Sequence, residues 1–305
     1  MLRGRANEGF ETVKPLPSTV VDQLTQEFDA WVAGLESRSP NTARSYRYAV
    51  ERFLEHLGGG EFTNDTVATY LRSLSDLAPA SRAHHISAVR SFLKWARYQG
   101  ILDERPEHLL VRPRVTVTSY GRYLTLPELQ TLVDAAAGLS PRHHAAVLTL
   151  AMTGLRVSEL VNAEWRDLFQ DPQGRIGLRV LGKGDKERVI RVRDDLLAVL
   201  SALHGSKDLN AKDRAPLLPS TRGTAYSTRG VHKLVAQATQ GAGLNKPVSP
   251  HWLRHTHATL AAAGGAPAVV IQASLGHARL ETSQRYIHWA RGLEETTVDS
   301  LPHLT

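Results

Sequence analysis

Four short stretches in the second half of the chain gather side chains capable of chemistry. They are TGLRVSEL (153–160), LGKGDKER (181–188), HWLRHTH (251–257) and SLGHARLETSQRYIH (274–288). Arg, Lys and His dominate them, with one Tyr. Guanidinium planes suit phosphate and carboxylate oxygens because they are always charged and donate bidentately. Imidazoles carry protons near neutral pH. The stretches hold no carboxylate pair of the kind glycoside hydrolysis needs. They hold no Gly-x-x-x-x-Gly-Lys-Ser/Thr loop, so nucleotide hydrolysis has no support. The 305 residues include no Cys, which excludes disulfides, thiolate zinc sites and Cys nucleophiles.

Taken singly, each residue has an ordinary reading. Arg156 at a helix start could form a surface ion pair, and Tyr286 could be a core aromatic, as Trp289 just after it suggests. Asp185, Lys186 and Arg188 could be plain turn residues. His251 and His255 stand four apart with His257 nearby, which invites a zinc site. Against zinc, the zincin Glu is missing, Arg254 would repel a cation, and no third ligand stands out. His255 and His257 therefore read as structural or as facing a bound partner.

Order and spacing point elsewhere. Arg156, Lys183, His251, Arg254, His277 and Tyr286 follow one another, with 26 residues from His251 to His277 and nine more to Tyr286. In this the chain resembles the tyrosine recombinase family, most closely its Xer-type branch, with phage integrases as relatives. The stretch from Ser39 to Leu57, SPNTARSYRYAVERFLEHL, resembles the family's core-binding domain. The likeness spans nearly the whole chain. Two departures are small: 27 residues separate Arg156 from Lys183, which implies a longer loop near Gln170–Gly174, and position 257 is His.

The resemblance implies a reaction. Tyr286 would be the nucleophile, forming a 3′-phosphotyrosine that keeps the bond energy, so that neither ATP nor metal is needed. Arg156 and Arg254 would hold the non-bridging oxygens and His277 would add a donor. Lys183 would be the general acid for the 5′-oxygen and His251 the general base on the phenol. Glu159, three residues past Arg156, would brace Lys183 or the histidines. No cofactor is expected.

The elements that must position these residues are mainly helical. Residues 1–18 lack periodicity and carry Pro15 and Pro17, as a loosely docked tail would. Four helices are predicted next, over Ser18–Leu35, from Ser39-Pro40 to a Gly58-Gly59-Gly60 stop, over Thr63–Asp76, and from Pro79 to Gly100. Tyr46, Val50, Phe53, Leu54 and Leu57 share one helical face; Ile86, Val89, Leu93 and Ala96 share another. A Pro-punctuated basic stretch, 106–122, reads as a linker, so the expected domains are 19–105 and 123–305. In the second, helices are predicted from Leu126, Ser140, Val157, Asp194, Ser227 and Ser249, and two alternating strands over Arg175–Leu181 and Arg188–Arg193. The class is mainly α with a small β-sheet. By resemblance, a four-helix SAM-like core-binding domain and a catalytic domain would clamp duplex DNA.

Net charge is +7 and the sequence pI about 9.8, which suits a polyanionic partner. Arg44, Arg47, Arg82 and Arg90 are candidate DNA contacts in the first domain, with Lys94 and Arg97 on the same helix as Arg90. Lys186 and Arg188 are candidates in the second. No targeting segment or bilayer-length apolar run is present, so an intracellular, nucleoid-associated protein is the expectation. The family's assemblies imply double-stranded DNA with an inverted-repeat site, four protomers of one or two kinds, and a segment after Trp289 docking on a neighbour. Three functions compete: a site-specific recombinase, for dimer resolution or for a mobile element; a type IB topoisomerase-like enzyme; and a catalytically silent DNA-binding regulator. Synapsis of two sites separates the first two, and an intact Tyr and Arg set argues against the third.

Overall fold

The computed structural model describes residues 15–37, 40–103, 105–114, 121–182, 186–206, 208–209, 212–277 and 279–291, with side chains as far as Tyr286. The chain divides into two compact units, 1–118 and 119–305. Among the described residues no helix is long and apolar enough to cross a membrane.

The first unit is built from four helices: α1 (Ser18–Glu36), α2 (Pro40–Leu57), α3 (Asn64–Ser73) and α4 (Pro79–Tyr98). The predicted faces are the buried ones. Val50, Phe53, Leu54 and Leu57 of α2 and Ile86, Val89, Leu93 and Ala96 of α4 all lie in one core. Phe28, Trp31 and Phe92 meet edge-on in its centre, with ring centroids 5.9 and 5.2 Å apart. α3 opens with a capping box, Thr63 and Thr66 each accepting from the other's backbone N–H.

Two expectations change here. The tail was expected to be loose to residue 18, but Leu16 is buried and exchanges both backbone hydrogen bonds with Phe62 at 3.0 Å. Residues 1–14 lie outside the described residues. The segment expected as linker from 106 begins with a 3-10 turn, Pro106–His108, and buries Pro106, Glu107 and Leu110 in the first unit. Its prolines break helical periodicity, but Leu110 fully covers the end of the core. The rest of that segment, 115–120, lies outside the described residues.

The second unit carries α5 (Leu126–Leu139), α6 (Pro141–Thr153), α7 (Val157–Asn162), α8 (Asp194–His204), α9 (Thr228–Gly241), α10 (Pro250–Ala263), α11 (Ala268–Leu275) and α12 (Leu280–Arg291). A three-stranded antiparallel sheet, β1 (Leu168–Gln170), β2 (Ile176–Leu181) and β3 (Glu187–Val192), lies in the order β1-β2-β3. β2 and β3 were expected; β1, three residues long, has too short a pattern to read. Ile176 pairs with Val192 and Leu181 with Glu187, so Ile176, Leu178, Val180, Ile190 and Val192 share the buried face. Trp165 is fully buried beside them, its indole N–H donating to Asp208 O at 2.7 Å. α6 and α10 start with a Ser cap followed by Pro, at the positions predicted; α5 starts at Leu126 as predicted, with Thr125 as its cap.

Candidate active site

The site is assembled where α6 gives way to α7. Gly154 ends α6 with φ +63°. A Cβ there would lie 2.5 Å from Leu275 and 2.9 Å from His257, so both the backbone angle and the space require glycine. The turn leaves the Gly154 carbonyl to accept from Arg254 and sets Arg156 as the cap of α7. Glu159 then accepts from the Arg156 backbone N–H at 2.8 Å and from its guanidinium at 2.9 Å. The same carboxylate takes two bonds from Arg188 of β3, at 2.9 and 2.7 Å. Burial pushes the Glu159 pKa up, but bonds from Arg188 and Arg156 outweigh it, and the carboxyl sits below its ordinary value. Glu159 was expected to brace Lys183 or the histidines; among the described residues it ties two arginines together, and Lys183 lies outside them.

α10 supplies the next group. Ser249 caps the helix and Pro250 occupies its first turn, so His251, Arg254 and His255 fall on consecutive turns. Arg254 is buried and donates to Gly154 O and Leu275 O, both at 2.6 Å. Desolvation, then the charge of Arg156, lowers its pKa to about 10, which leaves it charged at neutral pH. Two carbonyls occupy two of the five N–H donors of a guanidinium, so donors remain for an anion.

Tyr286 of α12 packs its ring among Ala258, Ala262, Ile271 and Leu275. Its hydroxyl meets His255 Nδ1 at 2.7 Å. Burial raises the phenol pKa. Burial first, then the neighbouring His251 and Arg254, lowers His255 to about 4. The phenol therefore keeps its proton and the imidazole stays neutral at neutral pH. His251, expected as the partner of this hydroxyl, sits edge-on against His255 with ring centroids 4.2 Å apart. Burial, then Arg254, lowers the His251 pKa as well. His277 stacks on Tyr286 at 6.0 Å and meets the Ser283 hydroxyl through Nδ1 at 2.9 Å. Burial and then Arg254 lower it to about 4, so it too is neutral at pH 7. His257 meets Ala151 O at 3.0 Å through Nδ1, one of the two roles expected of it.

Five of the six expected catalytic positions, Arg156, His251, Arg254, His277 and Tyr286, thus converge through shared neighbours. Lys183 lies outside the described residues, between the ends of β2 and β3. The signal that could have singled out His255 was its four-residue spacing from His251, which was weighed only against zinc and, with zinc set aside, left His255 as structural or DNA-facing.

The expected DNA contacts fare unevenly. Arg44, Lys94 and Lys186 are exposed, and Arg82 is half-buried. Arg47 instead bonds Asp29 at 3.1 Å, lies 3.7 Å from Glu51 and covers the Phe28 ring. Arg90 donates to Leu110 O at 3.0 Å, and Arg97 faces the buried Glu107 at 3.7 Å. Charge alone did not reveal that α4 uses these two arginines to hold residues 105–110. Arg188 is 11% exposed and its guanidinium bonds Glu159 and Ser274 O, so its side chain is a part-buried strut between them.

Comparison with known proteins agrees with this geometry. Residues 122–292 match the phage integrase family, and residues 26–100 match the phage integrase N-terminal SAM-like domain. The tyrosine recombinase XerC of Myxococcus xanthus is 34% identical over 286 residues, 88% of this chain and 93% of that protein. The chain belongs to the tyrosine recombinases of the phage integrase family. It is most like their Xer-type branch, enzymes that cut and rejoin DNA. Two solved recombinase structures share the fold. XerH bound to a palindromic difH substrate aligns with a TM-score of 0.69 at 19% identity, over 90% of this chain and 85% of that one. A lambda integrase tetramer bound to a Holliday junction gives 0.72 at 20%, over 89% and 79%.

Proposed function

We propose that this tyrosine recombinase exchanges strands through a covalent bond to Tyr286, in an Xer-like role that resolves chromosome or plasmid dimers. What supports the assignment of residues is that Arg156 and Arg254 both bond the Leu275–Gly276 backbone directly before His277, and His277 stacks on Tyr286. Arg156 and Arg254 hold the non-bridging oxygens of the scissile phosphate, with His277 as a neutral donor beside them. Fixed charge aimed at developing negative charge is the largest catalytic contribution expected here, about 10²–10³ in rate per donor.

The Tyr286 oxygen attacks phosphorus, and its proton passes to the pair formed by His255 and His251. The bond from phosphorus to the 5′-oxygen breaks, and Lys183 protonates that oxygen. The products are a 3′-phosphotyrosine and a free 5′-hydroxyl. Attack by the 5′-hydroxyl of a second strand reverses each step, so no energy source is consumed.

Two duplexes cut at two strands each call for four protomers, of this chain alone or with a related recombinase. Each pair of protomers would sit on an inverted repeat in nucleoid or plasmid DNA. The direct test is Tyr286→Phe. It should abolish covalent attachment to DNA and leave binding nearly intact; a variant that still attaches overturns the assignment of the nucleophile.

A further inference from the structure

Arg188, the first positive residue of β3, is the one whose placement departs furthest from expectation. Arg188 stands on β3, yet its side chain runs inward and is 11% exposed. Two separate segments of chain meet on it. Its two terminal nitrogens take both oxygens of Glu159, and its Nε donates to Ser274 O at 2.9 Å. Glu159 in turn holds Arg156 by backbone and by guanidinium. Ser274 lies in the last turn of α11, directly before Leu275, whose carbonyl accepts from Arg254. Gly276 follows with φ +65°, and a Cβ there would come within 3.4 Å of the Arg188 guanidinium. The backbone has been brought close to Arg188, and glycine permits it.

We infer that Arg188 is a positioning residue for the phosphate clamp: it acts through Glu159 to fix the Arg156 guanidinium and through Ser274 to fix the segment that carries His277. The physical need is plain. Arg156 is 41% exposed, and a long side chain in that setting samples several rotamers unless something holds it. Glu159 can hold it, but a 4% exposed carboxylate needs more than one counter-charge bond to stay ionised and oriented. Arg188 supplies a bidentate pair, and its fork leaves Nε free for Ser274. Lysine could neutralise Glu159 but could not make all three bonds from one rigid plane.

This rests on the reading that Arg156 stabilises charge on the scissile phosphate, and the test separates the two. The probe is a nicked duplex bearing the site recovered by covalent capture, made once with the natural phosphodiester and once with a methylphosphonate at the scissile position. The methylphosphonate lacks the non-bridging negative charge, so cleavage depends less on guanidinium placement. Arg188→Met should bind DNA within a few-fold of wild type and cleave the phosphodiester about 10²-fold more slowly. On the methylphosphonate most of that loss should disappear, as it should for Arg156→Ala. Recovery by Arg156→Ala without recovery by Arg188→Met overturns the inference and leaves the clamp standing. Recovery by neither overturns both. Weakened binding with normal cleavage at saturating protein would make Arg188 a DNA contact and also overturn it. Circular dichroism checks folding first. If Arg188→Met does not fold, Arg188→Lys takes its place, with a smaller loss and the same recovery expected.

Discussion

The proton on Tyr286 is the most consequential single atom in this site. Its hydroxyl rests on His255, and His255 rests against His251. Both imidazoles are held neutral by burial and by the arginines around them. A neutral imidazole can accept the phenol proton, whereas a protonated one cannot. His255→Phe and His251→Phe should each slow single-turnover cleavage by about 10²-fold or more. Because they serve one proton, the double variant should be little worse than the singles. Additive losses would show that the two act at different steps. The same shifts make stability depend on pH. His255 and His277 have folded pKa values of about 4, against about 6.5 in an unfolded chain. Between those values the unfolded state binds more protons, so stability is complete above pH 6.5 and falls as pH drops toward 4. Thermal unfolding should show the Tm falling over this window, and replacing either histidine by Phe should flatten the dependence.

The elements explain why much of this was legible and some was not. Caps and prolines at Thr125, Ser140 and Ser249 announce helix starts through chemistry that stays local, so α5, α6 and α10 were readable. Apolar periodicity in α2 and α4 reported their buried faces for the same reason. Order and spacing gave five converging site residues because a family likeness carries long-range placement that periodicity cannot. What could not be read was which partners the arginines take within the chain. Arg47, Arg90, Arg97 and Arg188 look alike in a sequence, yet each is spent on a partner that is distant in the chain or in a segment read as a linker. Arg97 illustrates the difference. It faces the buried carboxylate of Glu107, so Arg97→Ala should lower the stability of the first unit, measured by chemical denaturation. A phosphate contact would instead lose DNA affinity at unchanged stability. Gly154 makes the complementary case in the second unit. Alanine there meets a left-handed backbone, Leu275 and His257 at once. Gly154→Ala should destabilise by at least about 2 kcal/mol and displace the carbonyl that holds Arg254.

Across the assembled enzyme, affinity and exchange should separate. With a net charge of +7, binding should come mainly from phosphate contacts. An enzyme that neutralises 6–10 phosphates should lose about 10³–10⁵ in affinity between 50 and 200 mM salt. Removing residues 290–305, of which 292–305 lie outside the described residues, should leave binding to a single site and impair exchange between two, if that segment docks on a neighbouring protomer. Exchange that survives the deletion would place the protomer contacts elsewhere. All of these expectations depend on one bond, between Tyr286 and a 3′-phosphate. Covalent capture tests it directly: wild-type protein and Tyr286→Phe are each mixed with sheared host DNA and quenched in denaturant, and the attached DNA is sequenced. Enrichment of one imperfect palindrome by wild type, with none on Tyr286→Phe, is the result expected. Equal capture by Tyr286→Phe, or attachment at another residue, would contradict it.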